Sequence, residues 1–242
     1  MDLKKILMVV TSHDQLGSSG HATGAYLAEI SHAYEEFVEA GYDVTVACRH
    51  GGEVPLDGVK MDDPINATWM NDEDFLDKIE NALPLVEVLS QDYCAVYFAG
   101  GHGAMFDFPD NRDVQRLGVE IFENDGVVSA IGHGCAALVN MRLSTAEFLV
   151  KDHEVTCYSN EEEKSVGYEQ VVPFLLQNKL KERGADVSVG PKFTSHVVQS
   201  GRLVTGQNPS SASELAQAVL QTIHFISTGK TLPEKNWCEW HP

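Results

Sequence analysis

The sequence predicts an α/β protein whose largely parallel sheet carries helices on both faces. Short β-branched runs alternate with longer amphipathic stretches along the chain, and this alternation is typical of βα units. Each of the first four β-branched runs is bounded by Gly, Ser or Asp, residues that favour turns. The candidate strands cover 6–10, 43–48, 95–99, 127–131, 154–158, 195–199 and 202–205.

Amphipathic segments between these runs predict the helices. They cover 23–40, 72–89, 112–124, 136–139 and a little beyond, 169–183 and 210–226. Gly41 and Gly184 follow two of them directly, as expected at helix C-termini.

One segment, 49–69, interrupts the βα pattern. It holds Pro55, Gly58 and Pro64 and has no sustained helical period, so we expect an insertion with a short hairpin. No shift in composition marks a domain boundary. We therefore predict one domain over residues 1–227 and a tail over 228–242.

Composition and charge exclude several classes of protein. The 242 residues are 43% hydrophobic and 22% charged, which is typical of globular rather than collagenous or disordered chains. Seventeen basic against 36 acidic residues give a net charge of -19, so we expect neither nucleic acid nor a membrane as a partner. The apolar run 6–10 is too short for a signal sequence, and five cysteines without a CxxC spacing suit free thiols, so we expect a cytoplasmic protein.

The segment 127–140 carries the most informative local pattern. A buried strand runs directly into Gly132, His133, Gly134 and Cys135 and then into a predicted helix. A sharp strand-to-helix turn with small neighbours is the geometry of a nucleophile elbow. A side chain at such a corner lies at a helix N-terminus, where free N–H groups stabilise a thiolate or an oxyanion. A glycine-rich connection selected only for tight packing explains the same pattern.

Two further segments contain features of a ligand site. The predicted strand 95–99 leads into Gly100, Gly101 and His102. The two glycines let backbone N–H groups approach a ligand as oxyanion donors. In 24–29, Glu29 ends a Gly-Ala-Tyr-Leu-Ala-Glu sequence within a predicted helix. Taken alone, Glu29 would be interpreted as a solvated helix residue.

Together these segments resemble the ThiJ/PfpI superfamily, in the branch of heat-shock chaperones and glutathione-independent glyoxalases often labelled glyoxalase III. The matching stretches occur in family order and cover roughly residues 4 to 225; they are 24–29, 99–103 with Asp107, 132–135, 156–162, 172–175 and 205–210. The resemblance implies a doubly wound, flavodoxin-like and class I glutamine amidotransferase-like fold, commonly as a homodimer.

The resemblance also implies an activity. A lyase of the D-lactate dehydratase type would convert a small carbonyl substrate such as methylglyoxal to the 2-hydroxy acid, and it would need no cofactor. In active relatives the elbow reads Cys-His-Gly-Pro, with the cysteine as nucleophile. Here the same four positions are Gly132, His133, Gly134 and Cys135. The nucleophile position has no side chain, so we expect the activity to be lost or impaired.

The remaining roles are carried over from the resemblance. Glu29 would lie under the nucleophile position as the acid/base, and His133 would be the general base. Glu161 or Glu162 would orient His133, and we favour Glu162, although an acidic helix start explains both residues without any such contact. Substrate and oxyanion contacts would come from Gly100, Gly101, His102 and Gly134. The eight histidines outside these motifs show no metal-ligand spacing such as HExxH, so no metal is expected; of these, His21 could line the pocket.

Cys135 is a candidate substitute for the missing thiol. On an α-helix a shift of three residues returns to nearly the same face, displaced by about 4.5 Å along the axis. Near-attack geometry tolerates little error, so this shift favours loss of the chemistry over its relocation. A packed or merely oxidisable Cys135 is the favoured interpretation, and a working nucleophile is the alternative.

The sequence is also compatible with two other functions. A holding chaperone would have unfolded proteins as partners and would need exposed apolar surface, for which the tail offers Trp237 and Trp240. A pseudoenzyme would retain the pocket and bind a small carbonyl or acyl ligand without turning it over.

Overall fold

A seven-stranded sheet organises residues 4–229, the part of the chain that the computed structural model describes. The strands are β1 (Lys5–Val10), β2 (Ala25–Tyr26), β3 (Asp43–Cys48), β4 (Leu56–Asp57), β5 (Leu83–Pro84), β6 (Ala95–Phe98), β7 (Val127–Ile131), β8 (Glu154–Val155), β9 (Asp186–Val187), β10 (Val197–Ser200) and β11 (Leu203–Gly206). The α-helices are α1 (Leu27–Glu39), α2 (Pro64–Trp69), α3 (Glu73–Glu80), α4 (Ala104–Asp107), α5 (Arg112–Glu123), α6 (Asn160–Val166), α7 (Leu176–Glu182) and α8 (Ala212–Ser227). Short 3-10 helices cover Leu85–Glu87, Ser90–Asp92, Gly132–Asn140 and Pro209–Ser211.

The strand order of the large sheet locates the ligand crevice. Within the described residues the order is β10-β11-β7-β6-β1-β3-β5, and only β10 runs antiparallel to its neighbour. From β1 the chain moves to β3 on one side, whereas from β6 it moves to β7 on the other. The direction of winding therefore reverses between β1 and β6, and open α/β sheets bind ligands outside the carboxyl ends of the strands at such a point.

Alternate residues of the strands build two apolar layers. Ile6, Met8 and Val10 of β1 pack in a cluster with residues of α1, α3 and α8. Leu7 and Val9 point to the opposite face and pack with residues of α5 and α7. The predicted doubly wound α/β fold with helices on both faces is confirmed.

The predicted helix over 72–89 is wrong in its second half. Helix α3 ends at Glu80, and the chain continues as edge strand β5 and a 3-10 turn. Pro84 explains this end, because proline lacks the N–H that a helix interior needs and is tolerated on an edge strand. The helix predicted over 169–183 likewise begins only at Leu176, beyond Pro173.

The predicted hairpin in 49–69 is also wrong. Its strand β4 instead pairs in parallel with β2, the segment that we expected to be the first turn of helix 23–40. Gly24 permits this pairing, because a Cβ atom there would lie 2.1 Å from the carbonyl oxygen of Pro55. The insertion then forms α2, which Asp63 caps through the N–H groups of Ile65 and Asn66.

Two further observations concern the cysteines and the lengths of the helices. Cys48, Cys94, Cys135 and Cys157 are free, as predicted, whereas Cys238 and the tail residues 230–242 lie outside the described residues. Among the helices of residues 4–229, none is long and apolar enough to cross a membrane.

Removing the Tyr97 hydroxyl should destabilise the fold modestly. Tyr97 is fully buried on β6, and its hydroxyl donates to the backbone carbonyl of Glu29 at 2.8 Å, so it joins the sheet to the first turn of α1. We expect Tyr97→Phe to lower the free energy of unfolding by about 0.5–1.5 kcal/mol. Urea unfolding measures this loss, with the half-buried Tyr93→Phe as control; equal losses in both variants would contradict this role for the bond.

Candidate active site

Helix α1 places the Glu29 carboxyl group beneath the ends of the central strands. Glu29 lies in the first turn of the helix and is 2% exposed. Its Oε2 accepts the backbone N–H of Gly100 at 2.7 Å. The expected burial of Glu29 is therefore confirmed.

The other oxygen of Glu29 faces Gly132. A Cβ atom on Gly132 would lie 2.6 Å from Oε1, so the expected arrangement of Glu29 opposite this residue is also confirmed. Gly132 has a φ of +52°, a left-handed conformation that glycine adopts without strain. Any side chain at this position would need both a strained backbone and a displacement of the Glu29 carboxyl group.

Burial changes the protonation of Glu29. Loss of hydration raises its pKa to about 8; the N–H of Gly100 opposes this rise, and the nearby charge of Glu162 adds to it. At neutral pH Glu29 is mainly a carboxylic acid. It can therefore donate a proton to a ligand, or take one up again, near physiological pH.

A second carboxyl group, that of Glu163, joins two histidines. His133 Nε2 lies 2.7 Å from Glu163 Oε2, and His102 Nε2 lies 2.9 Å from Glu163 Oε1. The two imidazole rings contact each other, with centroids 4.0 Å apart, and Tyr158 packs on His133 at 4.2 Å. This cluster joins the ends of β6 and β7 to helix α6.

Within this cluster His133 and Glu163 lose their protons more readily than usual, whereas Glu29 keeps its proton. Burial and the adjacent His102 lower the pKa of His133 to about 4. Burial alone would raise the pKa of Glu163, but hydrogen bonds from His102 and His133 lower it to about 2. At neutral pH Glu163 is an ionised acceptor, so the neutral imidazole of His133 carries its proton on Nε2 and donates it to this carboxylate.

The prediction that Glu162 orients His133 is wrong, because Glu163 makes that contact. Glu162 is the third residue of α6 and folds back on the N-cap residue Ser159, accepting its N–H at 2.9 Å and its hydroxyl at 2.7 Å. Phe193 N–H and the Asn208 amide also donate to Glu162. The Ser-x-x-Glu spacing is a capping-box signature, and it could have assigned Glu162 to this role from the sequence.

Cys135 lies outside the cavity. Its side chain is fully buried, and its Sγ contacts the carbonyl oxygen of Thr156 at 3.3 Å. Burial raises the pKa of this thiol well above its usual value. The predicted α-helix after the corner is a 3-10 helix over Gly132–Asn140, in which three residues advance about 6 Å rather than 4.5 Å. The structure shows Cys135 packed, as the favoured interpretation expected, and burial disfavours the thiolate that a working nucleophile would need.

The expected oxyanion donors are only partly available. The N–H of Gly100 is engaged by Glu29, and Gly134 packs on the backbone of Phe98, whose carbonyl oxygen would lie 2.2 Å from a Cβ there. Neither residue lines the cavity, which corrects their assignment to a substrate subsite. Gly101 and His102 do line it.

These groups meet at the wall of a cavity of about 710 Å³. Glu29, His102 and His133 line it, and so does His21, as the sequence suggested. Tyr26 and Tyr158, which the sequence did not single out, are also lining residues. The exposed side chains of Lys60 and Phe193 belong to the same lining, so the cavity opens to solvent. Its volume is typical of a small-molecule site.

Comparisons with known proteins identify the family of this chain. The profile of the DJ-1/PfpI family matches residues 21–222. The chain belongs to the DJ-1/PfpI family. It is similar to Glyoxalase 3 of Candida albicans, with 27% identity over 231 residues that cover 89% of this chain and 97% of that protein. It is also similar to the glutathione-independent glyoxalase HSP31 of Saccharomyces cerevisiae, with 29% identity over 226 residues, 88% of this chain and 95% of that protein.

Solved structures show the same DJ-1/PfpI fold. Rapid Encystment Protein 24 KDa of Francisella tularensis superposes with a TM-score of 0.88 and 38% identity, covering 91% of this chain and 99% of that chain. Glyoxalase III of Candida albicans superposes with a TM-score of 0.84 and 27% identity, covering 91% and 98%.

The protonation of Glu29 should appear in the pH dependence of stability. Its pKa rises from 4.5 to about 8 on folding, so its protonated form favours the native state below pH 4.5 and this contribution is lost as the pH rises through 8. We expect Glu29→Gln, which cannot ionise, to gain stability relative to the wild type across this window, by at most about 1.4 kcal/mol per pH unit. Denaturant unfolding from pH 5 to 8 measures the difference. Glu39→Gln, at the exposed end of the same helix, is the control, and a pH-independent difference for Glu29→Gln would contradict the assignment.

Proposed function

We propose that this DJ-1/PfpI protein is a glyoxalase III-like protein that binds small 2-oxoaldehydes and converts them to 2-hydroxy acids only weakly. One observation carries the proposal: the residue that lies opposite the Glu29 carboxyl group is Gly132, which has no nucleophilic side chain. Of the described residues that line the cavity, none is a cysteine. The relatives named as glutathione-independent glyoxalases support the substrate class.

The groups that move protons are present on this chain. Glu29, mainly protonated at neutral pH, would serve as acid/base for the carbon and oxygen atoms of a bound carbonyl compound. His133, held by Glu163 at 2.7 Å, would be the second proton carrier. In relatives a thiolate adds to the aldehyde before these transfers, and that covalent step has no side chain to perform it here. Loss of the nucleophile from a coupled set of groups removes most of the catalysis.

A ligand-binding pseudoenzyme is the second candidate function. The retained cavity of about 710 Å³, whose lining does not include Cys135, favours it, because such a cavity allows binding without covalent chemistry. The chaperone hypothesis depends on Trp237 and Trp240, which lie outside the described residues, and it stays a prediction together with the homodimer and the cytoplasmic location.

Restoring a thiol at the corner should restore turnover. We expect Gly132→Cys to form lactate from methylglyoxal at least about a hundredfold faster than the wild type, the scale of losing a nucleophile from a coupled site. Gly132→Ala is the matched control, because it introduces the same backbone strain and the same contact with Glu29 without a thiol. Equal rates for the wild type and Gly132→Cys, in a folded variant, would contradict the proposed role of the corner.

The buried thiol should contribute nothing to any residual activity. We expect Cys135→Ala to leave the slow rate of lactate formation unchanged within about twofold, since burial disfavours its thiolate. Cys157→Ala, which also removes a fully buried thiol, controls for the loss of packing. A selective loss of activity in Cys135→Ala, with both variants equally stable in thermal unfolding, would show that Cys135 acts as a substitute nucleophile.

A further inference from the structure

His102, His133 and Glu163 form a set of side chains that the proposed function does not fully use. Their ligating atoms all lie within 4.8 Å of one another. They come from three separate places in the chain, the loop after β6, the turn after β7 and helix α6. General base catalysis by His133 needs one imidazole and one carboxylate, and it leaves the presence of His102 on the same carboxylate unexplained.

The chemistry of this set matches a metal site. Two imidazole nitrogens and one carboxylate oxygen are the protein ligands of many catalytic zinc sites and of facial-triad iron sites. Around an ion with ligand distances of about 2.0–2.2 Å, tetrahedral ligand atoms lie about 3.3–3.6 Å apart. Here each Nε2 lies 2.7 or 2.9 Å from a Glu163 oxygen. An ion could replace the two N–H protons if each Nε2 moved about 0.4–0.9 Å farther from its Glu163 oxygen.

The surroundings leave the fourth position open. His102 and His133 both line the solvent-connected cavity, so an ion between them would keep a position for water or a ligand oxygen. The opposite side is closed, because His133 and Glu163 are only 3% and 4% exposed. Asp57 and Asp63 line the same cavity, and with the net charge of -19 they favour entry of a cation.

We propose that His102, His133 and Glu163 bind a divalent transition-metal ion such as Zn²⁺, through the two Nε2 atoms and one carboxylate oxygen, with an open position that faces the cavity. Each imidazole then binds as its Nδ1–H tautomer, so the proton moves from Nε2 to Nδ1 and none is lost. An oxygen ligand of the ion would enter from the cavity that Glu29 also lines. The inference rests on the geometry of the cluster and not on the proposed function, although an ion on Nε2 of His133 would occupy a nitrogen of the residue proposed above as the second proton carrier.

Zinc titration tests the site. Chelator-treated, full-length protein without a polyhistidine tag is titrated with Zn²⁺ against a chromophoric competitor. We expect one high-affinity site in the wild type and an affinity at least about a hundredfold lower in His102→Ala, since loss even of a residue that only supports a ligand costs about 10–100-fold. His32→Ala is the matched control, because His32 lines the same cavity and pairs with Asp63 outside the cluster; its affinity should stay within about threefold.

A second measurement makes the outcome independent of variant folding. Crystals of the wild type soaked with Zn²⁺ should show an anomalous peak between His102, His133 and Glu163. No stoichiometric binding by the wild type, an equal loss in His32→Ala and His102→Ala, or a peak elsewhere would each overturn the proposal. Because no substrate is present, these outcomes leave the glyoxalase proposal intact, and unchanged lactate formation in Gly132→Cys would leave the metal site intact.

Discussion

The close approach of backbone segments at the carboxyl ends of β6 and β7 is the constraint on which the site depends. Glu29 can accept the N–H of Gly100 only because Gly100 has no Cβ; one there would lie 2.4 Å from Oε2 of Glu29. Gly134 likewise packs directly on the carbonyl oxygen of Phe98. Gly100 and Gly134 are therefore steric requirements for bringing α1, β6 and β7 together.

In the same crowded region the carboxyl group of Glu29 can act as an acid and that of Glu163 as a base. Among the described residues, the Gly100 N–H is the one donor that offsets the burial of the Glu29 carboxyl group, and the pKa of Glu29 rises to about 8. Glu163 accepts from His102 and His133, and its pKa falls to about 2 although it is also buried. When the surroundings of two titratable groups move their pKa values apart, one site has both a proton donor and a proton acceptor. In this protein that polarity exists without a thiol at the corner.

Membership of the DJ-1/PfpI family determines the fold of this chain but not the reaction at its site. The sheet, the crevice between β1 and β6 and the buried acid form whether or not the corner carries a nucleophile, because they rest on packing and on backbone geometry. A fold of this kind can host different reactions, and function follows from the side chains at the site. With Gly132 at the corner, the described side chains on the cavity wall include the carboxyl group of Glu29 and the imidazoles of His102 and His133 but no cysteine.

The resemblance to the ThiJ/PfpI superfamily, and no local signal, predicted a site made of Glu29, the glycine segment and the turn at Gly132. The sequence by itself determined the strands 43–48 and 127–131 to the residue and the helices on both faces. It could do so because apolar runs, glycines and helix stops are local signals that the tertiary structure only has to accommodate. The direction of Cys135, the edge strand β5 and the choice of Glu163 over Glu162 depended on how the elements pack. Adjacent residues on α6 point about 100° apart, so the capping of Ser159 by Glu162 turns Glu163 toward the histidines. Only the docking of α6 against the ends of β6 and β7 decides what that side chain meets.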